Sequence, residues 1–190
     1  MTVSLIINAN EEFYIGKDGD LLYKIDEDLK RFKFITSLPN SYLFMGRSTW
    51  QSLPYKPLPN RKNVIFSRSL KYELEDKYKN NPNVMIQHDV DKVINHIIET
   101  GYNNDKNIFV IGGAELASSF MEIVDRVYLT LVHDDKKGDT YLNPCFLKQF
   151  KETYREKNYD EESGLYYSFI NYKRKENVNE KIGTNWWKYL

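Results

Sequence analysis

Apolar runs rich in β-branched residues recur along the chain and alternate with amphipathic stretches, the pattern of an α/β domain on a mostly parallel central β-sheet flanked by helices. The runs predict strands over 3–8, 42–45, 63–66, 83–86 and 107–111, and a longer one over 125–133. The C-terminal part differs: 152–157 and 165–172 flank an acidic, glycine-containing stretch at 160–164, which predicts an antiparallel hairpin. Asp89 reads as an N-cap, with Val90, Val93, Ile94, Ile97 and Ile98 on one helical face and His96 off that stripe. A second helix starts near Asp26, with Leu29, Phe32, Ile35 and Leu38 inward and Lys30 and Arg31 outward. Short helices are expected after Gly46 and after Gly113.

A length of 190 residues allows one core, so the expectation is one domain over 1–174 and a polar, tryptophan-ended tail over 175–190. With 27 basic and 27 acidic residues there is no global field to draw nucleic acid or an anionic membrane, so any anion site is local. No apolar stretch reaches the roughly 20 residues that cross a bilayer, and the first residues read as a strand. A cytoplasmic monomer is expected. The lone Cys145 and the scattered His88, His96 and His133 lack metal-ligand spacing.

Two stretches place glycine between a strand and a helix: Gly46-Arg47-Ser48-Thr49 and Gly112-Gly113-Ala114-Glu115. Missing side chains let backbone approach a ligand, and free N–H groups at a helix start favour phosphate. Two such turns could grip one pyrophosphate, with Arg47, Ser67 and Arg68 supplying charge and hydroxyl for a 2′-phosphate. Tight turns with solvated arginines account for each stretch taken alone. Asp28 is either a first-turn acid paired with Arg31 or, beside Leu29 and four residues before Phe32, a carboxylate on an apolar face. Thr130 shares a strand face with Tyr128 and Val132, where a buried hydroxyl needs a partner.

Taken in order, these stretches resemble dihydrofolate reductase. The matching residues are Ser4-Leu5-Ile6, Ile15-Gly16, Asp28-Leu29 with Phe32-Lys33, Met45-Gly46-Arg47 with Thr49-Trp50 and Ser52-Leu53, Pro57-Leu58-Pro59 with Arg61-Lys62-Asn63 and Ser67, Ile111-Gly112-Gly113, Tyr128-Leu129-Thr130 and Gly138-Asp139-Thr140. The resemblance implies NADPH as cofactor and reduction of dihydrofolate to tetrahydrofolate, a step of one-carbon metabolism. It implies that Asp28 holds the pterin, buttressed by Thr130, with Tyr23 keeping a water near the pterin carbonyl. Ile6, Asn8, Leu29, Phe32, Leu53, Leu58 and Ile111 would line the substrate site, and Arg61 would take the glutamate tail. Asn8, Ile15, Gly46, Arg47, Ser48, Thr49, Ser67, Arg68, Ile111, Gly112, Gly113, Ala114 and Glu115 would serve the cofactor. A loop over 15–21 would close on the nicotinamide with its glycines as hinges, and Gly112–Gly113 would be joined by a cis peptide.

The chain departs from that pattern at Leu22-Tyr23, where Pro-Trp is usual, at Ala117 in place of a tyrosine, at Glu115 in place of a basic residue, and at Asn8 in place of a small apolar one. Two alternatives stand beside the reductase: the aminopyrimidine reductase of riboflavin synthesis, which shares the fold, and a binding or structural protein that kept the fold without catalysis.

Overall fold

The computed structural model describes residues 1–68, 76–100 and 105–176; most of the expected tail lies outside these. The elements are β1 (Thr2–Asn10), β2 (Tyr14–Lys17), β3 (Asp20–Leu21), α1 (Asp26–Thr36), β4 (Ser41–Gly46), α2 (Arg47–Ser52), β5 (Lys62–Phe66), β6 (Val84–Gln87), α3 (Val90–Thr100), β7 (Asn107–Gly112), α4 (Ala114–Phe120), β8 (Arg126–Val132), β9 (Thr140–Tyr141), β10 (Phe150–Asp160) and β11 (Leu165–Arg174). The main sheet has eight strands in the order β10-β11-β8-β1-β7-β4-β5-β6. Strands β8 through β6 in that order run parallel, while β11 joins β8, and β10 joins β11, antiparallel.

Alternation along β1 sorts the two faces, as the two-residue period of a strand requires. Val3, Leu5, Ile7 and Ala9 enter the larger core, whereas Ile6 packs with the cluster around Leu43, Met45 and Trp50. In the larger core the rings of Phe44, Phe66 and Phe120 meet at centroid distances of 5.3, 5.4 and 5.6 Å. Phe120 is fully buried at the end of α4, so this contact, of a kind that costs about 3–5 kcal/mol to truncate, fixes how α4 leaves β7.

The strands and both expected short helices are present, and Asp89 caps α3 by accepting from the Lys92 backbone N–H at 3.0 Å. Three inward assignments fail: Leu29 and Leu38 are each 44% exposed and Ile98 is 59% exposed. Leu29 borders an open cleft rather than the core. The stretch expected to be a closing loop is a hairpin, β2–β3, which pairs with β9 in a second, three-stranded sheet. Its turn has Asp18 at φ 53° and Gly19 at φ 79°, the two positive values that a primed two-residue turn needs. Strand β11 ends at Arg174, and the next residue, Lys175, donates its N–H to the Gln149 carbonyl at 2.9 Å.

Candidate active site

Strand β7 lies between β1 and β4, and a cavity of about 420 Å³ opens beside the ends of these strands. Its walls come from Ile6 and Asn8 of β1, Asp28, Leu29 and Phe32 of α1, Thr49 of α2, Leu53, and Ile111 with the following glycines. Ile15 and Leu21 of the small sheet close another side, and Lys24 and Thr140 stand at its edge.

Register explains the polar end of this apolar cleft. Asn8 on β1 and Thr130 on β8 are cross-strand partners, so their side chains emerge together. Asn8 Nδ2 donates to Asp28 Oδ2 at 2.8 Å, and the Thr130 hydroxyl donates to Oδ1 at 2.5 Å. Burial pushes the Asp28 carboxyl up, and the Asn8 and Thr130 hydrogen bonds and the Arg31 charge pull it back. Asn8 Oδ1 is buried without a partner. An oily cleft ending in a carboxylate with both oxygens addressed suits a flat ring that presents adjacent N–H donors.

Across the cleft, register pairs Met45 with Gly112 and Gly46 with Phe66, so Arg47 and Ser67 leave the sheet side by side. The Gly112–Gly113 peptide is cis, and Gly112 has φ 139°. A Cβ at Gly112 would stand 2.8 Å from Thr49 Oγ1, and one at Gly46 would stand 3.5 Å from the Gly113 nitrogen. Glycine is required at 112 on both counts. The result is a cradle walled by bare backbone at the starts of α2 and α4, neither of which has a side-chain cap. These residues fit a nicotinamide dinucleotide. Ser48, Thr49, Gly112 and Gly113 line the cavity itself; Gly46, Arg47, Ser67, Arg68, Ala114 and Glu115 lie beyond it at the same ends of β4, β5 and β7. Ala117 lines the cavity while being 1% exposed, and Glu115 pairs with Arg68 at 3.7 Å in open solvent.

Three expected site residues stand elsewhere. Tyr23 does not line the cavity: its ring is buried with Leu22, Ile25, Val132 and Tyr167, and its hydroxyl donates to Asp134 at 2.7 Å. Leu58 packs with Trp50 and Ile65 outside the cavity. Arg61 is also outside it, 5% exposed, with Nε donating to the Pro59 carbonyl at 3.0 Å and Nη1 to Thr36 Oγ1 at 2.7 Å. No acid among the described residues pairs with it. Asn63 holds the loop before it, bonding both the N–H and the carbonyl of Leu58 at 3.0 Å. Arg31, expected to face outward, is half-buried and reaches Thr130 and Asn171. The apolar stripe carried no sign of it, because the partners lie on β8 and β11, about 100 residues or more away.

A sheet that sets an apolar cleft beside a cradle of bare backbone suits a nicotinamide-dependent reductase. The family model for dihydrofolate reductase matches residues 2–174. The chain belongs to the dihydrofolate reductase family. It is 33% identical over 171 residues to a dihydrofolate reductase of Buchnera aphidicola, covering 89% of this chain and 97% of that one. It is 32% identical over 166 residues to that of Saccharomyces cerevisiae, covering 82% and 77%. It is also 29% identical over 196 residues to a bifunctional dihydrofolate reductase-thymidylate synthase of Glycine max, of whose length it spans 36%. Among solved structures, a dihydrofolate reductase from Enterococcus faecalis complexed with NADP(H) and RAB-propyl superposes with a TM-score of 0.75 at 22% identity, over 92% of this chain and 97% of that one. That likeness is one of fold.

Proposed function

We infer that the protein reduces 7,8-dihydrofolate to 5,6,7,8-tetrahydrofolate with NADPH. The observation that carries the reading is the Asp28 carboxylate, set in an apolar cleft with Asn8 and Thr130 on its two oxygens. In this role it accepts the ring N3–H and 2-amino donors of the pterin. NADPH, when bound along Gly46–Thr49, Ser67, Arg68 and Gly112–Glu115, supplies the hydride that reduces C6.

The chain's own contribution is alignment and field. Ile6, Leu29, Phe32, Leu53 and Ile111 exclude water and hold the ring flat. Of the acidic and basic side chains lining the cavity, Asp20 and Lys24 pair with each other at 2.5 Å, which leaves Asp28. Its negative charge raises the proton affinity of the bound pterin at N5, and the proton comes from water. Arg61, a buried cation with two donors committed and no acidic partner among the described residues, is suited to the α-carboxylate of the glutamate tail. A monomer at work in the cytoplasm goes with this reading, and no helix among the described residues is long and apolar enough to cross a membrane. Residues 1–174 would carry catalysis, and the role of 175–190 is open to truncation.

The test is to mix purified protein, NADPH and dihydrofolate and follow the near-ultraviolet absorbance of the cofactor. Turnover is expected. None with dihydrofolate would end the reading, and turnover only with a ribosylated aminopyrimidine would install the riboflavin-pathway alternative.

A further inference from the structure

Arg31 lies three residues beyond Asp28 on α1, with its guanidinium turned in toward the C-terminal hairpin. Nη2 donates to Asn171 Oδ1 on β11 at 2.5 Å, and the guanidinium carbon sits 4.5 Å from the centre of the Phe169 ring and 5.9 Å from that of Tyr128. Nη1 donates to the Thr130 hydroxyl oxygen at 3.4 Å. A hydroxyl has one proton to give. With an arginine N–H directed at its oxygen, Thr130 keeps that proton for Asp28 Oδ1, 2.5 Å away. The chain of donors therefore runs one way, from Arg31 through Thr130 to Asp28, and it ends on the carboxylate that meets substrate.

We propose that Arg31 is a positioning residue of this site: acting through Thr130, it fixes the hydroxyl proton on Asp28 and holds negative charge on that carboxylate before substrate arrives. The inference rests on the reductase reading of the cleft. Every element around the pair bears on it. Asn8 of β1 and Thr130 of β8 are neutral donors to Asp28. Lys24, at the cavity edge, is engaged with Asp20. Burial works against the Arg31 charge, and Asp28, Tyr128 of β8 and Tyr154 and Glu156 of β10 favour it. Arg31 is thus the cation directed at the carboxylate, and it works against the desolvation that otherwise favours the neutral acid. A carboxylate already ionised prefers ligands with paired N–H donors, and most of all a cationic 2-aminopyrimidine.

The experiment compares wild type, Arg31→Met and Arg31→Lys as full chains. The carboxyl carbon resonance of Asp28 is followed against pH, alongside the affinity for a 2,4-diaminopyrimidine and turnover of dihydrofolate. In Arg31→Met the Asp28 titration should move to higher pH, and affinity on its acid side should fall roughly tenfold. Arg31→Lys should restore much of both, which loss of packing alone would not. An unmoved Asp28 titration in Arg31→Met overturns the proposal. If that variant does not fold, Asn171→Leu removes the anchor instead: an upward move supports the proposal and an unchanged titration overturns it. Failure of the wild type to turn over dihydrofolate would count against the reductase reading, whereas the carbon titration judges Arg31 independently of it.

Discussion

Thr130 gives its hydroxyl proton to Asp28 Oδ1 at 2.5 Å across a sequence separation of 102 residues. Hydrogen bonds to charged groups contribute about 1.5–3 kcal/mol, so Thr130→Val should lower kcat/KM for dihydrofolate by about 10- to 100-fold. Steady-state kinetics at saturating NADPH would check this. A loss below threefold would mean that Asn8 alone orients the carboxylate.

Asp28→Asn should depress turnover severely at neutral pH and less in acid, where the substrate arrives already protonated. It should also make the protein more stable. Burial raises the folded-state pKa of Asp28, so keeping the group ionised costs stability, in full above the folded pKa. That cost disappears as pH falls through the folded value toward the unfolded one, near 3.9. Denaturant midpoints should show Asp28→Asn ahead of wild type at neutral pH, with the gap closing in acid. A gap that widens as pH falls would contradict the assignment of a raised pKa.

Gly112→Ala combines a positive φ of 139° with a contact of 2.8 Å to Thr49 Oγ1. The strain should cost roughly 1–3 kcal/mol and weaken NADPH binding. Adding Thr49→Ala removes the contact but leaves the backbone problem, so rescue should be partial. Thermal melts of the single and double variants measure the split.

Arg68 and Glu115 pair at 3.7 Å with side chains 87% and 89% exposed. Such a pair adds little stability, and Glu115→Gln should leave the melting temperature nearly unchanged. Freed of the acid, Arg68 should serve a 2′-phosphate better, lowering KM for NADPH several-fold. Arg47→Ala should weaken NADPH far more than NADH; equal losses would mean that Arg47 does not read the 2′-phosphate.

How much of this was legible in the sequence follows from the range of each interaction. The strands declared themselves through β-branched runs, and β1 and β4 were foreseen within two residues at either end. The glycine turns and Asp28 stood out once order and spacing were read together. Helix α1 misled, because a single inward face was assumed. It borders the cleft with Leu29 and Phe32 and the hairpin with Arg31, so apolar spacing could not say which side was covered. Tyr23 was placed by position in a motif, while its actual neighbours, Val132 and Tyr167, come from distant strands. The small sheet had a local signal in Asp18-Gly19, but its partner strand β9 is two residues long and more than 100 residues away.

The placement of β7 has a consequence for how the chain acquires its activity. Thr2 pairs with Asn107 and Ser41 pairs with the same residue, so the two flanking strands are spliced by a segment synthesised well after both. Without that splice β1 and β4, which carry Asn8 and Gly46, would not lie on either side of one strand. The walls of the cleft therefore depend on pairing across more than 100 residues, and local structure alone does not set them.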